Sequence, residues 1–471
     1  MVKRLTAAAF ALLLLLPLLT FRREAGVASE ADNRMLQENP FSAEERAKGG
    51  DLTAKLERYV GDRIGFRDEM ILGFQLLNDR LFGKLTHPSY CYGKEGHVYY
   101  APNTADNSEA YYTAFAEMIR QIQEYCEARS VPFLFVIEAA KEAVLPEYLP
   151  EGERYDRRRL ERMCAQLDEW GVRYLDTAGL LRERTEAGEE VFNRKYDAGH
   201  WNDLGGFYVV NAVLEELGKD LPGLRPNRLE DMEVSRVTQE WLMNSRFPIS
   251  EEVPSIGLPD RVREDTGSGA LAGELEMIHR TFGAVRDPWL LERGAPRGLI
   301  FQVSHMNTVG GKFFMNALGE YTHVTTYYNV DKFEYYFNIF QPECVVVEMA
   351  EAQFHGATPV HLEDMLAMRL NPTLESALAE AGEPETLPLE GLTVQEGEAL
   401  TKFFWDGAGR TPSGAEEAPC VWAVLDGTAY DMRESEGGGW EATVKNEDWA
   451  RGGGAPEIYV LDDGSMTRFA P

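Results

Sequence analysis

Tyr196-Asp197-Ala198-Gly199-His200-Trp201-Asn202-Asp203-Leu204-Gly205-Gly206 is the stretch on which the reading of this chain turns. Leu204, Phe207, Asn211, Leu214 and Leu217 continue it at helical spacing, and Gly218 ends the run. Asp197 and His200 therefore fall in the turn that opens a helix. A carboxylate at that spacing can hold an imidazole in one tautomer and stabilise its protonated form, as activation of a hydroxyl nucleophile requires. The same aspartate can equally serve as a helix cap. The pattern alone leaves both uses open, and the rest of the chain has to supply the nucleophile.

Working outward, strands and helices alternate. Tyr111, Phe115, Met118, Ile119, Ile122 and Cys126 make one helix face, capped by Asn107 or Ser108. Val131 to Ile137 is an apolar run of buried-strand length, and a helix around Leu160, Met163 and Leu167 leads to a strand at Val172 to Leu175. Beyond the His200 helix, residues 225–290 read as a polar insertion without periodicity. Strands follow at Leu299 to Val303, His323 to Tyr328 and Cys344 to Met349, with a helix around Phe313, Phe314 and Leu318 after the first of them. Such alternation predicts an α/β fold: a parallel sheet with helices on both faces and its sites at the carboxyl ends of the strands.

Ser304 stands at such an end, directly after Leu299 to Val303 and before Asn307-Thr308-Val309-Gly310-Gly311 and a helix. A serine there presents its hydroxyl above the sheet, and the N–H groups of the helix start can stabilise an oxyanion. Alone it reads as a cap; combined with the Asp197–His200 turn it becomes the candidate nucleophile. Lys141, just past the Val131 to Ile137 strand, sits at the same predicted edge, in position to bind substrate. His305 can line the pocket, and Trp201 and Asn202 complete the expected substrate-contacting set. His279, His323, His355 and His361 lack metal-ligand spacing, and no Walker A loop or G-x-G-x-x-G follows a strand, so no cofactor or metal is expected.

The 471 residues carry a formal net charge of -31, which disfavours nucleic-acid binding. The five cysteines are scattered without C-x-x-C and read mostly as small buried hydrophobes. Lys3 and Arg4 precede the apolar run Leu5 to Phe21, which reads as an uncleaved membrane anchor in preference to a signal peptide cut near Val27-Ala28-Ser29. Either way the body is expected to be exported. The expected organisation is an anchor or signal peptide over 1–23, a poorly ordered stalk over 24–50, and the α/β domain over 51–370. A linker over 371–386 and a small all-β domain over 387–471 complete it. Two Asp-Gly turns mark the β domain, and its Trp405, Trp422, Trp440 and Trp449 read first as core and second as a sugar-stacking surface.

In order along the chain stand Tyr59…Asp62-Arg63-Ile64-Gly65-Phe66-Arg67, the predicted hairpin around Tyr92-Gly93-Lys94-Glu95-Gly96, Pro146-Glu147-Tyr148-Leu149-Pro150, Asp197…His200-Trp201-Asn202 and the late strand-end serine. Together they resemble the SGNH-hydrolase-like proteins of the alginate O-acetyltransferase type and their DHHW relatives in Gram-positive bacteria, over about residues 35–355. Asp197 and His200 precede Ser304, the permuted order of the acetyltransferase branch. The resemblance implies acyl transfer at an exported or cell-surface polysaccharide, with Ser304 as nucleophile, His200 as general base and Asp197 as orienting carboxylate. It also implies a membrane-bound O-acyltransferase partner as the source of acetyl. Two departures stand out: Val303 replaces the aspartate usual before the serine, and D-x-x-H-W replaces D-x-H-W. Esterase chemistry and an inactive glycan-binding or assembly role thus stay beside the transferase reading.

Overall fold

The structure, a computed structural model, describes the chain except residues 1–5, 7–9, 13–14, 18, 30–33, 102–106, 278–281, 355–359, 409–417 and 436. Its centre is a seven-stranded sheet. The strands are β1 (Phe133–Glu138), β2 (Tyr174–Asp176), β3 (Glu264–Asp265), β4 (Phe282–Arg286), β5 (Arg297–Gln302), β6 (Glu320–Thr325) and β7 (Cys344–Ala350), in the order β2-β1-β7-β5-β6-β4-β3. The first five of that order are mutually parallel; β4 and β3 extend the sheet antiparallel. The fold is therefore α/β with a mixed, mostly parallel sheet. The two antiparallel strands come from the expected insertion, where an acidic pair and a short mixed run offer no alternation to read. That insertion also contains a hairpin, Glu233–Trp241 with Pro248–Gly257.

Both faces of the sheet are covered, which is why its central strands are continuous apolar runs. Phe133, Phe135, Ile137, Leu299, Phe301, Val345 and Val347 pack with α1 (Glu109–Ala128), α2 (Arg158–Glu169) and the helix Phe333–Phe340. Leu134, Val136, Ile300 and Val346 point to α3 (Asp203–Leu217) on the other face. The expected strand His323 to Tyr328 is shorter at its far end: β6 stops at Thr325 and a helical turn, Thr326–Asn329, follows.

Two expected segments differ. Described residues of the 24–50 stalk are ordered against the helices Leu52–Arg63 and Arg67–Phe82: Gln37 N–H donates to Asp62, and buried Arg63 donates to the Gln37 carbonyl. The buried guanidinium needs acceptors, and the passing backbone supplies them. The 371–386 linker contains a helix, Leu374–Ala381, capped by Thr373, whose Leu374, Ala377 and Leu378 pack against Trp422 and Met466. Much of the apolar N-terminal run lies outside the described residues; no described helix is long and apolar enough to cross a membrane.

The C-terminal part is a largely antiparallel eight-stranded half-barrel with one parallel pair, Glu385–Pro388 beside Ser465–Ala470. A short helix, Asn446–Arg451, interrupts the expected all-β pattern. Trp405, Trp422 and Trp449 are buried, which is the core use of these rings. The half-barrel joins the α/β layer through Asp431, which accepts from Arg129 at 3.0 Å and from the Tyr125 hydroxyl. The Asp431 backbone also exchanges hydrogen bonds with the Asn338 side chain.

Candidate active site

At the carboxyl edge of the sheet the chain brings three separated side chains into one line. Ser304 follows β5 and begins the helical segment that leads into Gly311–Met315. His200 Nε2 lies 2.9 Å from Ser304 Oγ, and His200 Nδ1 lies 2.9 Å from Asp197 Oδ2. An ionised carboxylate only accepts, so Nδ1 carries the proton and Nε2 accepts from the serine hydroxyl.

The turn is shaped for that geometry. Asp197 Oδ1 accepts from the Gly199 and His200 N–H groups, each at 2.9 Å, which orients the carboxylate before it meets the imidazole. Gly199 is required by crowding: a Cβ there would lie 2.4 Å from the Tyr100 ring. Burial opposes the charge on Asp197, but the His200 hydrogen bond and charge, with those two N–H groups, outweigh it and hold its pKa below the ordinary value. Burial likewise opposes protonation of His200. The Asp197 hydrogen bond and charge, aided by Glu138, outweigh it and lift the imidazole above its usual range.

The loop before His200 is clamped from both polarities of its backbone. Glu251, on the Pro248–Gly257 strand, accepts from the N–H groups of Arg194 (2.6 Å), Lys195 (2.8 Å) and Tyr196 (2.5 Å). Lys141 Nζ donates to the carbonyls of Val98 (2.8 Å), Asn193 (2.6 Å) and Asp197 (3.2 Å), with Arg194 O at 3.3 Å. Lys141 is fully buried, so the expected contact with substrate gives way to a structural one. Burial pushes its ammonium down to about 8, while the facing carbonyl oxygens favour the charged form at neutral pH.

The other expected substrate contacts are relocated too. Asn202 caps α3, its Oδ1 accepting from Leu204 N–H and Gly205 N–H while its amide donates to the Glu190 carbonyl. Trp201 is 1% exposed and packs edge-on against His305. His305 is buried behind His200, with ring centroids 4.7 Å apart, and its Nδ1 lies 2.9 Å from Glu138 Oε2. All three are buried and support the site from inside.

Sequence reasoning missed Glu138, Glu251, Tyr327 and Glu348. Glu138 and Glu348 were legible as charges attached to or set within apolar strand runs, the pattern of a buried polar group. Tyr327, beside Ser304 in the turn after β6, was hidden by reading that turn as strand. Glu251 gave no signal. Among the described residues no group of histidine, cysteine and carboxylate side chains is placed to hold a metal.

The mixed, mostly parallel sheet with helices on both faces is an SGNH-like fold. Residues 91–289 match the family model described as "SGNH hydrolase-like domain, acetyltransferase AlgX", and the chain carries an SGNH hydrolase-like domain of that type. The match includes Asp197 and His200 and ends before Ser304. Similar solved structures include a DHHW family protein from Eubacterium siraeum (13% identity, covering 61% of this chain and 98% of that one, TM-score 0.42). The O-acetyltransferase domain of Pseudomonas putida AlgJ is another (15% identity, 58% and 94% covered, TM-score 0.39). Bacillus cereus PatB1 is a third (11% identity, 57% and 97% covered, TM-score 0.44). No curated protein matches.

Proposed function

We propose that the protein is an O-acetyltransferase acting on an exported or cell-surface polysaccharide through an acetyl-serine intermediate at Ser304. One observation carries the reading: Ser304 Oγ, both ring nitrogens of His200 and Asp197 form an unbroken hydrogen-bonded line. As Ser304 Oγ attacks the acetyl carbonyl, its proton passes to His200 Nε2, and Asp197 stabilises the resulting imidazolium. The first-turn N–H groups of Ser304 and His305 have no partner within their own helix and are the candidate oxyanion donors. The imidazolium then protonates the leaving group. A glycan hydroxyl, deprotonated by the same His200, takes the acetyl and frees Ser304. The family match supports acetyl transfer as the chemistry. In this reading the body works outside the cytoplasm and receives acetyl through a membrane-bound O-acyltransferase.

Acetyl release from p-nitrophenyl acetate, compared between wild type and Ser304→Ala, tests the nucleophile. Loss of about a thousandfold or more in rate is expected. Adding acceptor oligosaccharides then separates transfer from hydrolysis. Equal rates in the two proteins would remove the acyl-serine mechanism.

A further inference from the structure

Two glutamates are buried where the sheet's carboxyl edge meets the candidate site. Glu138 ends β1 and Glu348 lies within β7, and neither has exposed surface. The parallel register sets Glu348 beside Val136 and Ala350 beside Glu138. Alternate residues share a face, so both glutamates point to the α3 side with Val136 and Val346. There they are diagonal neighbours across the strand pair. Glu138 Oε2 lies 2.9 Å from Nδ1 of His305, the residue after Ser304. The His305 ring in turn stands edge-on to His200.

Two ionised carboxylates side by side and away from water repel each other, and neither can donate; one proton between them removes both costs. Burial, then the charge of Glu138, pushes the Glu348 carboxyl well above the ordinary range. Tyr321 from β6 and Tyr327 from the turn after it also face the pair, both as neutral phenols whose ionisation burial opposes. His200 itself faces Asp197 on one side and the field of Glu138 on the other.

Building on the acyl-transfer reading, we propose that Glu138 is a second positioning carboxylate for His200. Glu138 and Glu348 share one proton, and the remaining negative charge holds His305 against the His200 ring and favours the imidazolium formed as Ser304 attacks. No proton moves through this pair during the reaction: Ser304 gives its proton to His200 Nε2, and the monoanion acts through its field and through His305.

The test is an NMR titration of the His200 ring in the full chain, assigned by comparison with His200→Asn. Glu138→Gln preserves shape and removes the charge, and should lower the His200 midpoint on the order of one pH unit. Glu348→Gln leaves the charge on Glu138, and should leave the midpoint unchanged or raise it. A Glu138→Gln midpoint equal to that of wild type would reduce Glu138 to packing and overturn the proposal. This readout does not depend on turnover, so failure of Ser304 as nucleophile would show separately in the acetyl-release comparison. Should Glu138→Gln not fold, infrared spectra of the wild type decide. Glu142 and Glu334, each raised by burial to about 7, are ionised at about pH 9. A protonated-carboxyl band persisting there, and lost in Glu348→Gln, supports the shared proton. Absence of such a band in wild type contradicts it.

Discussion

Two buried carboxylates of the molecule each join a cation and a hydroxyl, and the two clusters differ in the chemistry open to them. At the sheet's carboxyl edge Asp197 meets His200, and His200 meets the hydroxyl of Ser304. At the junction with the half-barrel Asp431 meets Arg129 and the hydroxyl of Tyr125. Both carboxylates are buried. The difference lies in the cation. A guanidinium keeps its proton at any working pH, so the Asp431 cluster is a fixed joint between layers. An imidazole exchanges its proton near neutrality, so the Asp197 cluster can take one from a hydroxyl and return it. Burial with a charged partner therefore marks neither site as catalytic; the pKa of the partner does.

Substitutions can break this contrast. The largest effect is expected at the nucleophile: Ser304→Ala should cost about a thousandfold or more in p-nitrophenyl acetate turnover, with unfolding by urea little changed. Asp197→Asn keeps the shape but destabilises the productive tautomer, and should cost about a hundredfold or more in kcat/KM. At the other cluster, Asp431→Ala should leave turnover per folded molecule unchanged while lowering stability by about 3 kcal/mol, because Arg129 loses its buried partner. Parallel urea titrations and rate assays distinguish the two patterns. Lys141→Met, stripping donors from the carbonyls behind Asp197, is expected to do both, with about 2 kcal/mol of stability lost and turnover reduced.

The smallest effect is in pH dependence. The base must be neutral to act, so activity should rise with pH through the raised His200 pKa and fall below it, with the limb above the ordinary imidazole range. For stability the sign is opposite. A pKa raised by folding contributes stability that is fully present below the unfolded-state value and is lost as pH rises through the folded one. Asp197→Asn should move the activity limb downward and remove that contribution, and titrating Asp431→Ala alongside shows whether either change is specific to the exchangeable cluster.

The parallel core and the site were legible for one physical reason: strands buried on both faces are unbroken apolar runs, and polar residues at their carboxyl ends stand out. Ser304 after Leu299 to Val303 is such a case, as is the Asp197–His200 turn ahead of an amphipathic helix. What was not legible depends on long-range pairing. β4 is a short mixed run whose partner β6 lies about forty residues on. Glu251 finds its three N–H donors only after a hairpin folds back. Lys141 looked like a loop lysine because its four acceptors are backbone oxygens, which have no sequence signature. Asn202 and Trp201 adjoin His200 in sequence, but local sequence does not say which way a helix start faces.

The central claim is that Ser304 carries the acetyl group. It is tested most directly by quenching the full-length protein in acid during turnover of p-nitrophenyl acetate and mapping the acetylated peptide by mass spectrometry. The account predicts one acetyl group on Ser304 in wild type and none at that position in His200→Ala or Ser304→Ala. Steady turnover with Ser304 unmodified, or acetyl equally abundant on another side chain in Ser304→Ala, would contradict it.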